Sequence, residues 1–245
     1  MCHLTDFHFE NLDKAHVLDD LVMKAPREKT NDYVNVLLNW RKKNERKFAW
    51  RRENNPFHIL IAEIMLQRTG ARQVEPVYAE FVAKYPSVSD LANAPLEDIV
   101  KCLRPLGLKY RAIRLKQLAK TLEKEFGGNV PKKERELLGL PGVGKYVANA
   151  VQCFAFKRDV PIVDANVLRI LKRVFSVNSV EDSHKDLEIW DFAAELIPKG
   201  KARDLNISTL DFASLVCTAR RPRHHICPLK NICDFYQKKG SHRVE

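Results

Sequence analysis

The stretch LLGLPGVGKYVANAVQCFAF, from Leu137 to Phe156, decides the fold. Its centre, LPGVGK (Leu140 to Lys145), sits between two segments with amphipathic helical spacing. Glycines at 142 and 144 let the backbone N–H groups of the turn approach a phosphate closely. The second segment then opens with its positive dipole end towards that anion, and Lys145 adds a charge at the same place. In an ordinary protein Gly-x-Gly is only a turn between helices. Between helices of this length, in a basic chain, it reads as a hairpin that grips the DNA backbone. Phosphate contacts position a protein on a duplex and carry no base information.

Downstream, Asp164 follows Tyr146 by eighteen residues, within VPIVDANVLRIL (Val160 to Leu171). Val167, Ile170, Leu171, Val174 and Phe175 share one helical face, while Arg169, Lys172 and Arg173 take the other. Asp164 therefore falls where a helix N-cap is expected. Capping N–H groups would also aim its carboxylate. A fixed anion beside the C1′ of a flipped nucleotide is what the oxocarbenium-like transition state of glycosidic cleavage requires.

The rest of the chain agrees. Glycines are few, alternating β-branched runs are nearly absent, and apolar residues recur at helical spacing. Breaks at Asn54-Asn55-Pro56, Tyr85-Pro86, Ala94-Pro95, Gly127 to Pro131, Pro161 and Pro198 to Gly200 divide it into short helices. The fold class is all-α. At 245 residues there is room for one large domain or two small ones. Forty-two Lys+Arg against 31 Asp+Glu leave a net charge of +11. That excess favours a polyanion, nucleic acid before membrane, because neutralised phosphates release counterions. Met1 to Lys14 carries acids and histidines where a signal peptide needs an apolar run. Ile59 to Leu66, interrupted by Glu63, is too short to span a bilayer. Six cysteines without paired spacing point to a reducing compartment. The expectation is a cytoplasmic, nucleoid-associated protein.

LPGVGKYVANAV followed by VPIVDANVLRIL resembles the helix-hairpin-helix–Gly/Pro–Asp signature of the endonuclease III and MutY superfamily of DNA glycosylases. The resemblance runs from about Tyr33 to Tyr236 and takes in FAWR (Phe48 to Arg51), HILIAEIMLQRT (His58 to Thr69) and GLKYRAIRL (Gly107 to Leu115). It implies two helical domains with the DNA and the flipped base in the cleft between them, and makes Asp164 the catalytic aspartate. On this reading residues 1–30 are an extension, 55–165 form the hairpin-containing domain, and 31–54 join 166–245 in the other. The partner is mismatched double-stranded DNA, bound by a monomer.

Bifunctional members of that superfamily carry a Schiff-base lysine two residues after the second hairpin glycine; here that residue is Tyr146. Lys145 lies about 100° of helix away and does not simply replace it. The expected activity is base release without strand cleavage. Glu63, an acid in an otherwise apolar helix, is either a stray surface residue or a buried carboxyl serving as proton donor or base-edge acceptor. Both adenine glycosylases and thymine mismatch glycosylases have a glutamate in this register, so Glu63 does not choose the base. Gln67 and Arg68 match the region that fills the gap left by the flipped base. The tract Gly107 to Leu115 lacks the Gly-Tyr-Tyr run expected of adenine glycosylases, and VDAN and GVGKY resemble the archaeal-type thymine mismatch enzymes. The chain also ends soon after Tyr236, without a Nudix-like domain to read 8-oxoguanine. Thymine or uracil opposite guanine is the expected target. A truncated adenine glycosylase and a catalytically idle DNA-binding module are the alternatives.

Cluster-bearing members of the superfamily space four cysteines by six, two and five residues. Counted from Cys217, that register meets His224, Cys227 and Cys233, with histidine in the second place. Arg220, Arg221 and Arg223 between the first two positions suit phosphate contact. The expectation is a [4Fe–4S] cluster with His224 ligation; a Cys₃His zinc site or a loop of buried thiols without metal are the alternatives.

Overall fold

The computed structural model describes residues 25–107, 110–177 and 186–241. Residues 1–24 of the expected extension, and Leu108 and Lys109 of the Gly107 to Leu115 tract, lie outside the described residues. Twelve α-helices are described: α1 Arg27–Asn44, α2 Pro56–Leu66, α3 Ala71–Lys84, α4 Val88–Asn93, α5 Leu96–Leu103, α6 Tyr110–Phe126, α7 Glu134–Leu138, α8 Lys145–Phe154, α9 Ala165–Phe175, α10 Leu187–Glu195, α11 Ala202–Leu215 and α12 Asp234–Ser241. Three short 3₁₀ turns, Ala49–Arg51, Arg104–Leu106 and His224–Ile226, complete the regular structure among the described residues, all of it helical.

The helices bury their apolar faces in two main cores. One gathers α2 to α8, and Phe48 and Trp50 pack into it although they precede α2. The other gathers α1 with α9 to α11 and the chain beyond them. A small seam of Ala150, Cys153, Ile162 and Ala202 lies beside them. Helix α2 is the centre of the first core. Asn55 caps it by accepting a hydrogen bond from Phe57 N at 2.9 Å, and Pro56 presets its first turn. It is apolar on every side and buried from Ile59 to Met65, so Glu63 is carried inside with its neighbours.

Two asparagines hold the segment that leads to Asp164. Asn149 on α8 donates to Pro161 O at 2.9 Å. Asn206 on α11 donates to Val160 O at 2.9 Å and accepts from Ile162 N at 3.1 Å. Proline at 161 has no N–H to satisfy, and the strap answers the backbone groups around it. The start of α9 is thereby tied to α8 and α11.

A buried ion pair binds α11 to the chain before α2. Asp211, fully buried, accepts from both Nη atoms of Arg51 at 2.8 and 2.9 Å and from Arg46 N at 3.0 Å. Arg203 adds a hydrogen bond to Arg51 O. Removing one charge of such a pair leaves the other stranded. Asp211→Asn is expected to destabilise the protein by about 3–5 kcal/mol and lower Tm by on the order of 10 °C, measured by thermal and urea unfolding. A loss below about 1 kcal/mol would show that water reaches Arg51 and replaces its partner.

Candidate active site

A cleft of about 970 Å³ opens where the two cores meet. Leu66 to Thr69, at the end of α2, and the first turns of α6 and α8 form one side; Val163 to Asn166 form the other. Six of the residues singled out by sequence, Gln67, Arg68, Gly144, Lys145, Tyr146 and Asp164, line it.

Asp164 caps α9 as its position implied. Oδ1 accepts from Asn166 N and Val167 N, both at 2.8 Å, and Oδ2 accepts from Asn166 Nδ2 at 2.7 Å. The carboxylate is partly exposed at the cleft wall, and its direction is set by its own helix. A line of hydrogen bonds continues from it. Arg169 Nη1 donates to Asn166 Oδ1 at 3.0 Å, and Arg169 Nε donates to the carbonyl of Cys217 at 3.0 Å. Asn166 and Arg169 were not singled out as site residues; their i, i+3 spacing on α9 was the available signal.

Tyr146 shares the cleft wall with Asp164, and its hydroxyl donates to the Glu63 carboxyl. Glu63 is not a wall residue. It stands behind Tyr146, 3% exposed, and Oε2 has no hydrogen-bond partner. Burial pushes the Glu63 carboxyl up to about 7, against the pull of the Tyr146 hydroxyl and the Arg51 guanidinium, while nearby Asp164 pushes it further up. Burial, followed by the charges of Glu63 and Asp164, raises the Tyr146 phenol well above its ordinary value. At neutral pH Tyr146 is a neutral donor. Arg51 links Glu63 to the buried Asp211 pair, a juxtaposition that spans 160 residues of sequence and leaves no local pattern.

The hairpin turn has the geometry its glycines allow. Gly142 sits at φ +82°, where a side chain is strained, and a Cβ there would meet Arg114 Cδ at 3.5 Å. Gly144 is the extended N-cap of α8, exposed, so the first amides of that helix face outwards. Gln67 Nε2 donates to Gly142 O at 3.1 Å. Lys145 borders the cleft but lies over the Trp190 ring, Nζ 4.6 Å from its centroid, which anchors the hairpin to α10.

In the cysteine loop, Arg220, Arg221 and Arg223 are exposed. Cys217, His224, Cys227 and Cys233 line one cavity of about 20 Å³. Burial lifts the Cys227 thiol to about 11, and the neighbouring Cys233 and Cys217 add to the rise, so the three sulfurs share one environment. The His224 ring lies 5.0 Å from that of Tyr236, and Arg173 Nη1 donates to Cys217 Sγ at 3.3 Å. Among the described residues no three metal-ligating side chains are already drawn into an ion-binding shell. Three thiols and an imidazole around one cavity are nonetheless a donor set that suits an iron–sulfur cluster or zinc.

Residues 61–192 match the HhH-GPD superfamily of base excision DNA repair proteins, and residues 217–233 match the iron–sulfur binding domain of endonuclease III. The chain belongs to the HhH-GPD superfamily. It is a DNA N-glycosylase of that family. It is 37% identical over 217 residues to the thymine/uracil-DNA glycosylase of Methanothermobacter thermautotrophicus, covering 87% of this chain and 97% of the relative. An adenine DNA glycosylase of Buchnera aphidicola is 32% identical over 205 residues, 83% of this chain and 58% of that protein. The solved structure of a thermostable thymine-DNA glycosylase superposes with a TM-score of 0.84 at 36% identity, over 88% of this chain and all of the other.

The Glu63 environment sets a pH dependence. In the folded chain its proton leaves at about 7, against 4.5 ordinarily, so the folded state holds the extra proton between those values. Stability conferred by the neutral form is therefore complete below about pH 4.5 and lost as pH rises through 7. Glu63→Gln has no proton to lose. It is expected to gain on the native protein by roughly 3 kcal/mol between pH 4.5 and pH 8, read from urea unfolding at both ends. A difference that stays constant with pH would mean that the Glu63 carboxyl is hydrated in the folded chain.

Proposed function

We propose that the chain is a monofunctional glycosylase that flips thymine or uracil mispaired with guanine out of duplex DNA and hydrolyses its N-glycosidic bond. The observation that carries this reading is the pairing of Asp164 and Tyr146 in one cleft: an aimed carboxylate, with a neutral phenol where bifunctional relatives carry the lysine. Residues 55–165 act as the hairpin domain and 31–54 with 166–245 as its partner, with Phe48 and Trp50 crossing into the hairpin core. The protein works as a monomer on mismatched duplex DNA in the cytoplasmic nucleoid.

The hairpin from Gly142 to Lys145 and the exposed Arg220 and Arg221 hold the backbone, while Gln67 and Arg68 enter the gap left by the flipped nucleotide. With C1′ facing Asp164, positive charge developing on the sugar meets a fixed anion. The C1′–N1 bond breaks with its electron pair on the pyrimidine, water adds its oxygen to C1′, and the water's proton passes to the base or to solvent. The Tyr146 proton is engaged by Glu63 behind it, which leaves the Tyr146 oxygen to accept from an N–H of the departing base. Greater identity to thymine/uracil glycosylases than to the adenine enzymes supports the choice of base. One observation favours adenine: a carboxyl that titrates near 7 is an acid of the strength needed to protonate a purine.

A panel of G:T, G:U, A:G and A:8-oxoguanine duplexes decides between them. Under single-turnover conditions G:T and G:U are expected to lose base fastest, borohydride to trap no covalent adduct, and Asp164→Asn to bind DNA normally while slowing release on the order of 10³-fold. Faster release of adenine opposite 8-oxoguanine would reverse the assignment. Near-native rates for Asp164→Asn would remove Asp164 from the chemistry.

The same reading places a [4Fe–4S] cluster on Cys217, His224, Cys227 and Cys233. When bound, the cluster would cross-link the loop that carries the arginines and add a redox centre there. Protein purified without oxygen is expected to contain about four irons and four sulfides per chain, and His224→Cys to keep them at a lower reduction potential. One zinc without sulfide would replace the cluster by a Cys₃His zinc site, and no metal in active protein would leave the loop standing on packing alone.

A further inference from the structure

Leu66 to Thr69 forms a tight turn at the cleft rim. Thr69 N donates to Leu66 O at 3.2 Å, Gln67 has φ −57° and ψ 115°, and Arg68 has φ +58°. These are the marks of a type II turn, whose third position normally takes glycine because a Cβ is disfavoured at positive φ. Here that position holds an exposed arginine facing the cleft. A strained, bulky residue at a glycine position persists only where its surroundings over-determine it.

Chief among those surroundings is one side chain. Arg111 is 2% exposed, and among the described residues no carboxylate pairs with it. Its guanidinium is spent on the turn instead: Nη1 donates to Met65 O at 3.0 Å, and Nη2 donates to Gln67 O at 2.6 Å and Thr69 Oγ1 at 3.2 Å. A buried charge satisfied by acceptors just before the turn, within it and at its last residue fixes that turn in a single shape. Gln67 pins the same turn to the hairpin through Gly142 O. On α6, Tyr110 and Arg114 face the cleft, whereas Arg111 points inwards.

We propose that Arg111 is the positioning residue for base flipping: it holds the Leu66–Thr69 turn in its left-handed shape so that Arg68 is presented to the space vacated by the target base. This rests on the glycosylase reading above. Arg111 never touches DNA, so it acts only where the turn must displace a base from its pair. The energy of opening the pair, not of cleaving the bond, is what it affects.

The test compares single-turnover release of thymine from a G:T duplex with release from the same strand placed opposite an abasic-site analogue, where no pair resists opening. Arg111→Lys is expected to slow release from G:T about 10²-fold, and from the unpaired substrate no more than about threefold. Arg68→Ala should show the same contrast. The double variant should be no slower than the slower single one, since both changes remove one device. Thr69→Val deletes one acceptor at nearly constant shape and should give a smaller loss of the same pattern, which keeps the question open to decision if Arg111→Lys folds poorly. Equal losses on both substrates, or losses that multiply in the double variant, would overturn the proposal. If the native protein releases no thymine or uracil from any duplex, the thymine/uracil reading itself fails; a native enzyme that is active while Arg111→Lys is unimpaired removes the brace alone.

Discussion

Two backbone amides at the start of α9, those of Asn166 and Val167, grip Asp164 Oδ1 at 2.8 Å each, and much of the site follows from that cap. A carboxylate on a long or loosely held side chain would have to be ordered at the moment of reaction. Here the helix orders it beforehand, because the orphan N–H groups of the first turn require an acceptor in any case. The same helix reaches the cysteine loop with its other residues. Arg169 and Arg173 donate to the carbonyls of Ala213, Cys217, Thr218 and Ala219, so the loop is fastened to the helix that Asp164 caps.

Electrostatics at the back of the cleft follow from burial. Arg51 is shared between a full ion pair with Asp211 and a longer-range attraction to Glu63. The attraction is outweighed, because the apolar wrapping of α2 penalises the Glu63 anion more than Arg51 rewards it. The result is a carboxyl and a phenol in contact, both protonated at mildly acid pH, behind a wall whose accessible acid is Asp164. Two acids close together are thus given different surroundings, one wrapped in apolar side chains and one at the cleft wall.

The hairpin and the cleft rim divide in the same way between local chemistry and long-range support. Gly142 and Gly144 need only their missing side chains to open the hairpin turn. Arg68 needs help, since its backbone conformation is one that arginine does not choose. That help comes from Arg111, more than forty residues away and out of contact with solvent.

All-α class, the hairpin and the cap at Asp164 were legible in the sequence, because each is governed by residues close together in the chain: helical periodicity, two glycines two residues apart, an aspartate before an apolar stripe. Tyr146 and Glu63 could be singled out singly, one by its distance from the hairpin glycine and the other as an acid in an apolar run. That they touch, that Glu63 titrates near 7, and that Arg51 and Asp211 stand behind them depended on α2, α8 and α11 being packed together. The strained turn at Arg68 was equally silent, since nothing near it in sequence shows the buried guanidinium of Arg111. Local backbone preference is written in neighbouring residues. The charge state of a buried group and the shape of a strained turn are set by whatever the fold brings against them, and only the tertiary structure decides that.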